Sequence, residues 1–321
     1  MKSMAVVFTA PEQLEMREVT LRALEPSDVL VETFWTSVSA GTEKMLYTGR
    51  LPKMQMTQYP VIPGYETVGK VIEVGSDVPD GYLGKFVYVS GSFGYTDVNA
   101  AFGGASQYIV SPYHKVTRLD VLSDVSLGLA LPLAATALHI VDLAHVTDKR
   151  ILVLGQGAVG LLVVDFARHF HAAYTVATDL SDFRLSKSTA DVRVNVTQTA
   201  LESALGHAEF DALIDCTGVM RAIEESLRFL KMNGVLVLGG YYERIDLAYH
   251  FAFMKEIKIL PAKQWALGDL ERTLSILASG EIDAKRIFTH YSSAWNGLAE
   301  AYETALFDNN CLKMVLSWKP E

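Results

Sequence analysis

The sequence of 321 residues predicts an α/β protein in which a doubly wound parallel sheet follows a compact, partly open β-barrel. Three observations carry that prediction. Residues 150–164 join an apolar run of strand length to Gly155, Gly157 and Gly160, spaced Gly-x-Gly-x-x-Gly, and then to a helix-like pattern. From 150 to about 239, strand-like and helix-like stretches alternate, as in a parallel sheet covered on both faces. Residues 1 to about 120 instead show short alternating runs separated by turn signals.

The runs in the first part are 5–8, 28–34, 67–74, 86–89 and 105–110, punctuated by Pro79-Asp80-Gly81 and Gly103-Gly104. A helical stretch over 120–148 leads into the glycine motif. Its most apolar part, 127–141, is too short to span a bilayer and holds Pro132 and His139, so it reads as a buried helix. Strands are expected at 151–154, 175–178, 192–196, 212–215 and 235–239, and helices at 159–170, 183–188 and 221–229. After about 262 the pattern changes to helices at 270–278 and 298–305 and a last strand at 313–318, a tail expected to rejoin the barrel. The expected division is therefore 1–120, 121–262 and 263–321.

Composition narrows the class. The chain is 50% hydrophobic and 20% charged, which suits a globular protein. A formal charge of −9 argues against a nucleic-acid surface. The two cysteines, Cys216 and Cys311, make neither a disulfide framework nor a zinc cluster and fit a reducing cytosol. The first residues lack a long apolar region, so no signal peptide and no integral membrane segment are expected, and the location expected is cytoplasmic.

Each glycine of the motif has a physical task. Gly155 allows the tight turn out of the strand, Gly157 lets the backbone approach a pyrophosphate, and Gly160 lets helix and strand pack closely. The N–H groups around Gln156, Ala158 and Val159, at the helix start, then face phosphate. A second apolar run, 174–178, ends in Asp179, where a ribose-binding acid belongs. Its carboxylate would accept from both ribose hydroxyls and repel a 2′-phosphate, which favours NAD over NADP. Arg184, nearby, is a candidate to stack on adenine or reach a phosphate. Cys216 and Thr217 follow a strand, and Gly239 ends one, so all three belong at the ligand edge of the sheet.

A barrel, then a dinucleotide fold, then a returning tail resembles the medium-chain dehydrogenase/reductase superfamily. Ala40-Gly41-Thr42-Glu43 resembles that family's Cys-Gly-Thr/Ser-Asp segment, Pro63-Gly64-Tyr65-Glu66-Thr67-Val68-Gly69 its Gly-His-Glu-x-x-Gly segment, and Gly84-Lys85-Phe86-Val87 its Gly-Asp-Arg-Val strand. The resemblance implies a GroES-like catalytic barrel and a Rossmann domain for NAD. The zinc-binding cysteine of the family falls on Ala40 and its zinc-binding histidine on Tyr65, while the third ligand position, near Pro132 and Leu133, has no side-chain donor. Residues 90–102 replace the four-cysteine structural zinc lobe and contain no cysteine. The expectation is a zinc-free enzyme. Within the superfamily, Met4-Ala5-Val6-Val7-Phe8, Gly49-Arg50-Leu51-Pro52, Tyr59-Pro60-Val61-Ile62, Phe102-Gly103-Gly104-Ala105-Ser106 and Leu131-Pro132-Leu133-Ala134-Ala135-Thr136-Ala137 are similar to the bacteriochlorophyllide dehydrogenases of bacteriochlorophyll biosynthesis. That resemblance implies NAD-dependent oxidation of a 3-(1-hydroxyethyl) group to 3-acetyl on a bacteriochlorophyllide. It also implies a homodimer built by extending the dinucleotide sheet, or a homotetramer.

Oxidising an alcohol removes a hydride from carbon and a proton from oxygen. Thr42 matches the family's proton-relay hydroxyl, and Tyr65 should point its phenol where a zinc ligand stood. Glu43, Lys44, Glu66 and His139 are candidates for the next members. Plainer readings stand beside these: Thr42 as a helix cap over 43–47, Glu66 as an ion-pair partner, His139 as a core histidine. For a flat tetrapyrrole, Met45, Leu46, Tyr47, Met54 and Met56 with Phe93, Tyr95 and Phe102 would form an apolar slot, and Arg50 and Lys53 would reach a propionate. The alternatives are that these residues pack the barrel and that the two cations are solvated. Two other functions compete: a zinc-free enoyl or quinone reductase using NADPH, and a nucleotide-binding protein without catalysis.

Overall fold

A computed structural model describes residues 1–52 and 57–319. The chain forms two units, Met1–Leu131 with Ile287–Glu321, and Pro132–Arg286.

The first unit opens with β1 (Lys2–Ala10) and β2 (Gln13–Thr20), followed by β3 (Asp28–Val38), helix α1 (Thr42–Tyr47), β4 (Val61–Ile62), β5 (Thr67–Val74), β6 (Phe86–Val89), β7 (Asn99–Ala100), β8 (Tyr108–Pro112) and β9 (Val116–Arg118). Burial explains β1: Ala5, Val6, Val7 and Phe8 are all fully enclosed, which only a strand with both faces covered permits. Helix α2 (Leu131–Ala144) begins at the junction of the units.

The second unit continues with β10 (Arg150–Leu154), α3 (Ala158–His169), β11 (Tyr174–Asp179), α4 (Asp182–Ser186), β12 (Val192–Asn195), α5 (Leu201–Leu205), β13 (Phe210–Asp215), α6 (Met220–Ser226), β14 (Leu230–Leu238), α7 (Tyr249–Met254), β15 (Lys258–Pro261) and α8 (Asp269–Ser279). Its six strands are parallel, in the order β12-β11-β10-β13-β14-β15. The order reverses between β10 and β13, the switch point at which open α/β sheets take ligands. The sequence-based expectation held five of these strands. β15 escaped it because this short edge strand is largely exposed and ends in proline, so it has no alternation to read.

The chain then returns to the first unit as β16 (His290–Ser293), α9 (Leu298–Phe307) and β17 (Met314–Ser317). The return starts at Ile287, not near 263, because α8 belongs to the second unit; likewise residues 121–131 stay with the barrel. The first unit holds a four-stranded sheet, β2-β1-β4-β7, and a seven-stranded one, β16-β17-β3-β5-β6-β9 with β8 also paired to β3. The long β3 organises the latter, since it pairs with β5, β8 and β17. Its last residues lie between β17 and the start of β5, with Thr36 opposite Thr67 and Leu316. Whatever follows β3 is thereby brought beside whatever precedes β5. No helix among the described residues is long and apolar enough to cross a membrane.

Candidate functional site

The end of β3 and the start of β5 create a buried polar cluster in the first unit. The Tyr65 phenol and the Ser39 hydroxyl share a hydrogen bond of 2.6 Å. Thr42 also bonds the phenol; it lies inside α1, whose N-cap is Gly41, so it does not act as a side-chain cap. Burial raises the Tyr65 phenol above its ordinary range, and the Glu66 charge adds to that, so it stays protonated at neutral pH. Tyr65 is held elsewhere too. Its carbonyl accepts from the Tyr88 hydroxyl at 3.0 Å, and its ring meets Phe102 edge-on at 5.1 Å. Phe102 has φ of 75°, a conformation costing a bulky residue about 1–3 kcal/mol, so the surrounding backbone fixes where this ring stands.

The two carboxylates flanking this group have different tasks. Glu43 is buried; its Oε1 accepts the Ser39 N–H at 3.0 Å and its Oε2 accepts the Tyr302 hydroxyl at 3.2 Å. Burial, chiefly, pushes its carboxyl up to about 8; Glu66 adds to the rise, while the Ser39 N–H, Lys313 and Tyr302 oppose it. The folded protein thus keeps a proton that the unfolded chain releases near its ordinary value of 4.5. The contribution of Glu43 to stability is therefore fully present below that value and is lost as pH rises through about 8. Glu66 pairs with Lys313 at 2.9 Å, both side chains being enclosed, and also accepts from the Ser37 hydroxyl. Its ion-pair reading is the one this geometry favours over a general base.

The remaining sequence candidates in this unit are dispersed. The Lys44 ammonium lies over the Phe307 ring at 4.7 Å. Arg50 is exposed and donates to the Thr48 hydroxyl at 3.0 Å. Phe93 is exposed, whereas Tyr95 packs on the barrel core and donates to the Gly103 carbonyl at 2.7 Å. Leu46 is enclosed in the core and so lines no open slot, while Tyr47 is partly exposed with its hydroxyl bonded to the Glu12 carbonyl. Lys53, Met54 and Met56 lie outside the described residues.

In the second unit the glycine motif forms the turn between β10 and α3. Gly155 has φ of 85°, which glycine adopts without strain. A Cβ on Gly160 would overlap the Gly155 carbonyl, so that glycine is fixed by packing. Gly157 differs. Its φ is −69° and a Cβ there would meet nothing within 4 Å, so the protein itself gives no reason for glycine. The space it leaves suits a ligand brought close to the backbone. Beside it, the first N–H groups of α3, from Ala158, Val159 and Gly160, lack helical partners. Gln156 is enclosed, with an Oε1 that has no hydrogen-bond partner. Asp179, at the end of β11, accepts from the Gln156 N–H at 2.6 Å and the Ser181 N–H at 2.9 Å, fixing its carboxylate against the glycine turn. Arg184 lies in α4, directly after it.

At the end of β13 the fully enclosed Asp215 organises the next loop. It accepts from the Thr217 hydroxyl at 2.6 Å, the Gly218 N–H at 2.9 Å and the Tyr242 hydroxyl. Burial raises the Cys216 thiol far above its ordinary range, so it is not a reactive thiolate. A Cβ on Gly239 would press on Ile140, so packing alone accounts for that glycine. His139 faces Asp269 at 3.6 Å within the same unit. Sequence reasoning missed Ser39, Tyr302, Lys313 and Tyr242, none of which carried a local signal, whereas Asp215 was legible as the acid that ends a strand.

A dinucleotide fits this donor set: a glycine without an internal reason, unpartnered helix N–H groups and a fixed acid. In the first unit Ala40 offers no side-chain donor, the Tyr65 phenol is bonded to Ser39, and Glu66 is committed to Lys313. Among the described residues no three of His, Cys, Asp or Glu are grouped to hold a metal ion.

Comparison with known proteins yields two family matches: "Alcohol dehydrogenase GroES-like domain" over residues 25–121 and "Zinc-binding dehydrogenase" over residues 158–277. The 2-desacetyl-2-hydroxyethyl bacteriochlorophyllide A dehydrogenase of Cereibacter sphaeroides is 32% identical over 99% of this chain and 99% of its own. Among solved structures, a zinc-binding dehydrogenase from Sinorhizobium meliloti bound to NADP superposes with a TM-score of 0.86 at 22% identity, covering 99% of this chain and 100% of its own. An alcohol dehydrogenase from E. coli CFT073 complexed with NADH gives 0.87 at 21% identity, covering 99% of both chains.

Proposed function

Because the chain belongs to the medium-chain dehydrogenase/reductase superfamily, and within it to the 2-desacetyl-2-hydroxyethyl bacteriochlorophyllide A dehydrogenase family, we propose that it oxidises the 3-(1-hydroxyethyl) group of a bacteriochlorophyllide to 3-acetyl, with NAD as acceptor and without zinc. It is an oxidoreductase acting on CH–OH groups. The single observation supporting the zinc-free reading is the Tyr65 phenol, held by Ser39 and Thr42, at the position where the family resemblance puts a zinc-binding histidine.

The turn from Gly155 to Gly160 and the start of α3 would hold the dinucleotide pyrophosphate, and Asp179 the adenosine ribose. When bound there, NAD supplies the hydride acceptor. The fixed Asp179 charge disfavours a 2′-phosphate and supports NAD over NADP. Tyr65, neutral and hydrogen-bonded, would take the alcohol proton as it hands its own to Thr42, the relay hydroxyl of the family resemblance, and through it to solvent, without a metal to acidify the alcohol. A secondary alcohol attached to a conjugated macrocycle asks less of a Lewis acid, because the ring delocalises positive charge as hydride leaves. Phe102, edge-on to Tyr65, and the exposed Phe93 are the candidates for the wall of a flat substrate. The setting we propose is the cytoplasm.

Mixing the protein with NAD and a 3-(1-hydroxyethyl) bacteriochlorophyllide should produce NADH and red-shift the pigment band as 3-acetyl conjugation forms. Turnover that a chelator abolishes and zinc alone restores would reject the metal-free part. A firm NADPH preference with reduction of an enone would instead favour the quinone-reductase reading.

The assembly we propose is a homodimer through the second unit. β15 is the edge strand of its sheet, and Ile259 on it, with Tyr249, Phe253 and Met254 of α7, is exposed. Light scattering should give twice the chain mass, and Ile259→Lys should shift it toward one. A monomeric mass for the unmodified protein would reject this assembly.

A further inference from the structure

We propose that Ser39 is the positioning residue that fixes the direction of the Tyr65 phenol for proton transfer. The inference rests on the reading of Tyr65 given above and adds a second residue to that site.

The backbone of Ser39 is clamped at both its polar groups. Its N–H donates to Glu43 Oε1 at 3.0 Å, and its carbonyl accepts from the Glu43 N–H at 3.0 Å. A serine just before a helix ordinarily turns its hydroxyl onto the helix N–H groups. Here Glu43 satisfies the local backbone, α1 has no side-chain cap, and the Ser39 hydroxyl goes to Tyr65 at 2.6 Å. Ser39 is itself 5% exposed, so water does not readily replace it as a partner for the phenol.

The need for such a residue follows from the other contacts of Tyr65. Tyr88 holds its carbonyl and Phe102 its ring edge, which leaves the direction of the phenolic O–H to the two hydroxyls on it, Ser39 and Thr42. A phenol that passes a proton must present a lone pair to the substrate hydroxyl and aim its own O–H elsewhere. With Ser39 donating to it from a fixed backbone, the phenol turns its own O–H to the partly exposed Thr42, through which its proton leaves for solvent, and keeps one lone pair to take the proton of the substrate hydroxyl.

The test compares Ser39→Ala, Ser39→Thr, Tyr65→Phe and the double variant Ser39→Ala/Tyr65→Phe, using NAD and a 3-(1-hydroxyethyl) bacteriochlorophyllide. Ser39→Ala should lower kcat about ten-fold, part of the effect of a positioned proton-transfer group, with KM values little changed and an altered pH profile. Ser39→Thr should restore rate and profile. In the Tyr65→Phe background Ser39→Ala should have no further effect, because the residue acts only through the phenol. If Ser39→Ala fails to fold, Ser39→Cys, close in volume and weaker in hydrogen bonding, should show the same loss in kcat. A slow Tyr65→Phe beside a fully active Ser39→Ala would overturn the role of Ser39 alone. A further loss of the same size in the double variant would show a merely structural effect and overturn it too. An unimpaired Tyr65→Phe would remove the reading of Tyr65, and this inference with it.

Discussion

Replacing Tyr65 with phenylalanine is expected to lower kcat about 100-fold, the size of contribution a positioned proton-transfer group makes, while dinucleotide affinity holds. The substitution removes one oxygen and keeps the ring that meets Phe102. The dinucleotide candidates lie in the other unit, so their side chains are untouched. Burial keeps the phenol neutral at neutral pH, so its loss leaves the charge of the site unchanged and isolates the missing hydroxyl. Some stability should also be lost, about 1–3 kcal/mol, because the buried Ser39 hydroxyl loses its partner. Stability and rate can be separated by melting the variant with and without NAD. The primary deuterium isotope effect on the hydride step should rise as chemistry becomes slower than product release. Unchanged turnover together with an unchanged isotope effect would exclude Tyr65 from the reaction.

What the sequence disclosed and what it hid have one physical cause. The glycine turn was legible because backbone conformation and close packing restrict residue type: Gly155 needs positive φ, and Gly160 leaves no room for a Cβ. Asp179 was legible because a strand of fixed length carries it to a predictable edge. The polar cluster was only half legible. Tyr65, Thr42 and Glu66 stood in recognisable segments, but their partners come from elsewhere in the chain. Ser39 is 26 positions from Tyr65, Lys313 is 247 from Glu66, and Tyr302 is 259 from Glu43. Strand pairing of β3 with β5 and β17 joins them, and no local pattern records that pairing. The same blindness misplaced Leu46. A hydrophobic residue in the core and one on a substrate wall read alike until the packing is known.

The pair between Lys313 and Glu66 ties the returning tail to the strand that follows Tyr65, and breaking it should cost the fold more than losing the Tyr65 hydroxyl does. The Lys313 ammonium bonds Glu66 at 2.9 Å and the Val38 carbonyl at 3.2 Å, and the two side chains are 2% and 0% exposed. Lys313→Met leaves the Glu66 charge enclosed without a counterion, and such a broken pair destabilises by about 3–5 kcal/mol. Desolvation dominates that figure, so the loss should be reversible by removing the second charge. Glu66→Gln in the Lys313→Met background keeps a group able to bond the Ser37 hydroxyl and should recover most of the stability. Urea unfolding followed by tryptophan fluorescence reads mainly the right unit, because Trp35, Trp295 and Trp318 all belong to it. A double variant no more stable than Lys313→Met would mean that the lysine matters for its packing and not for the charge it answers. Recovery of stability without recovery of turnover would separate the anchoring of this strand from an electrostatic effect of Glu66 on Tyr65, whose phenol that charge helps to keep protonated.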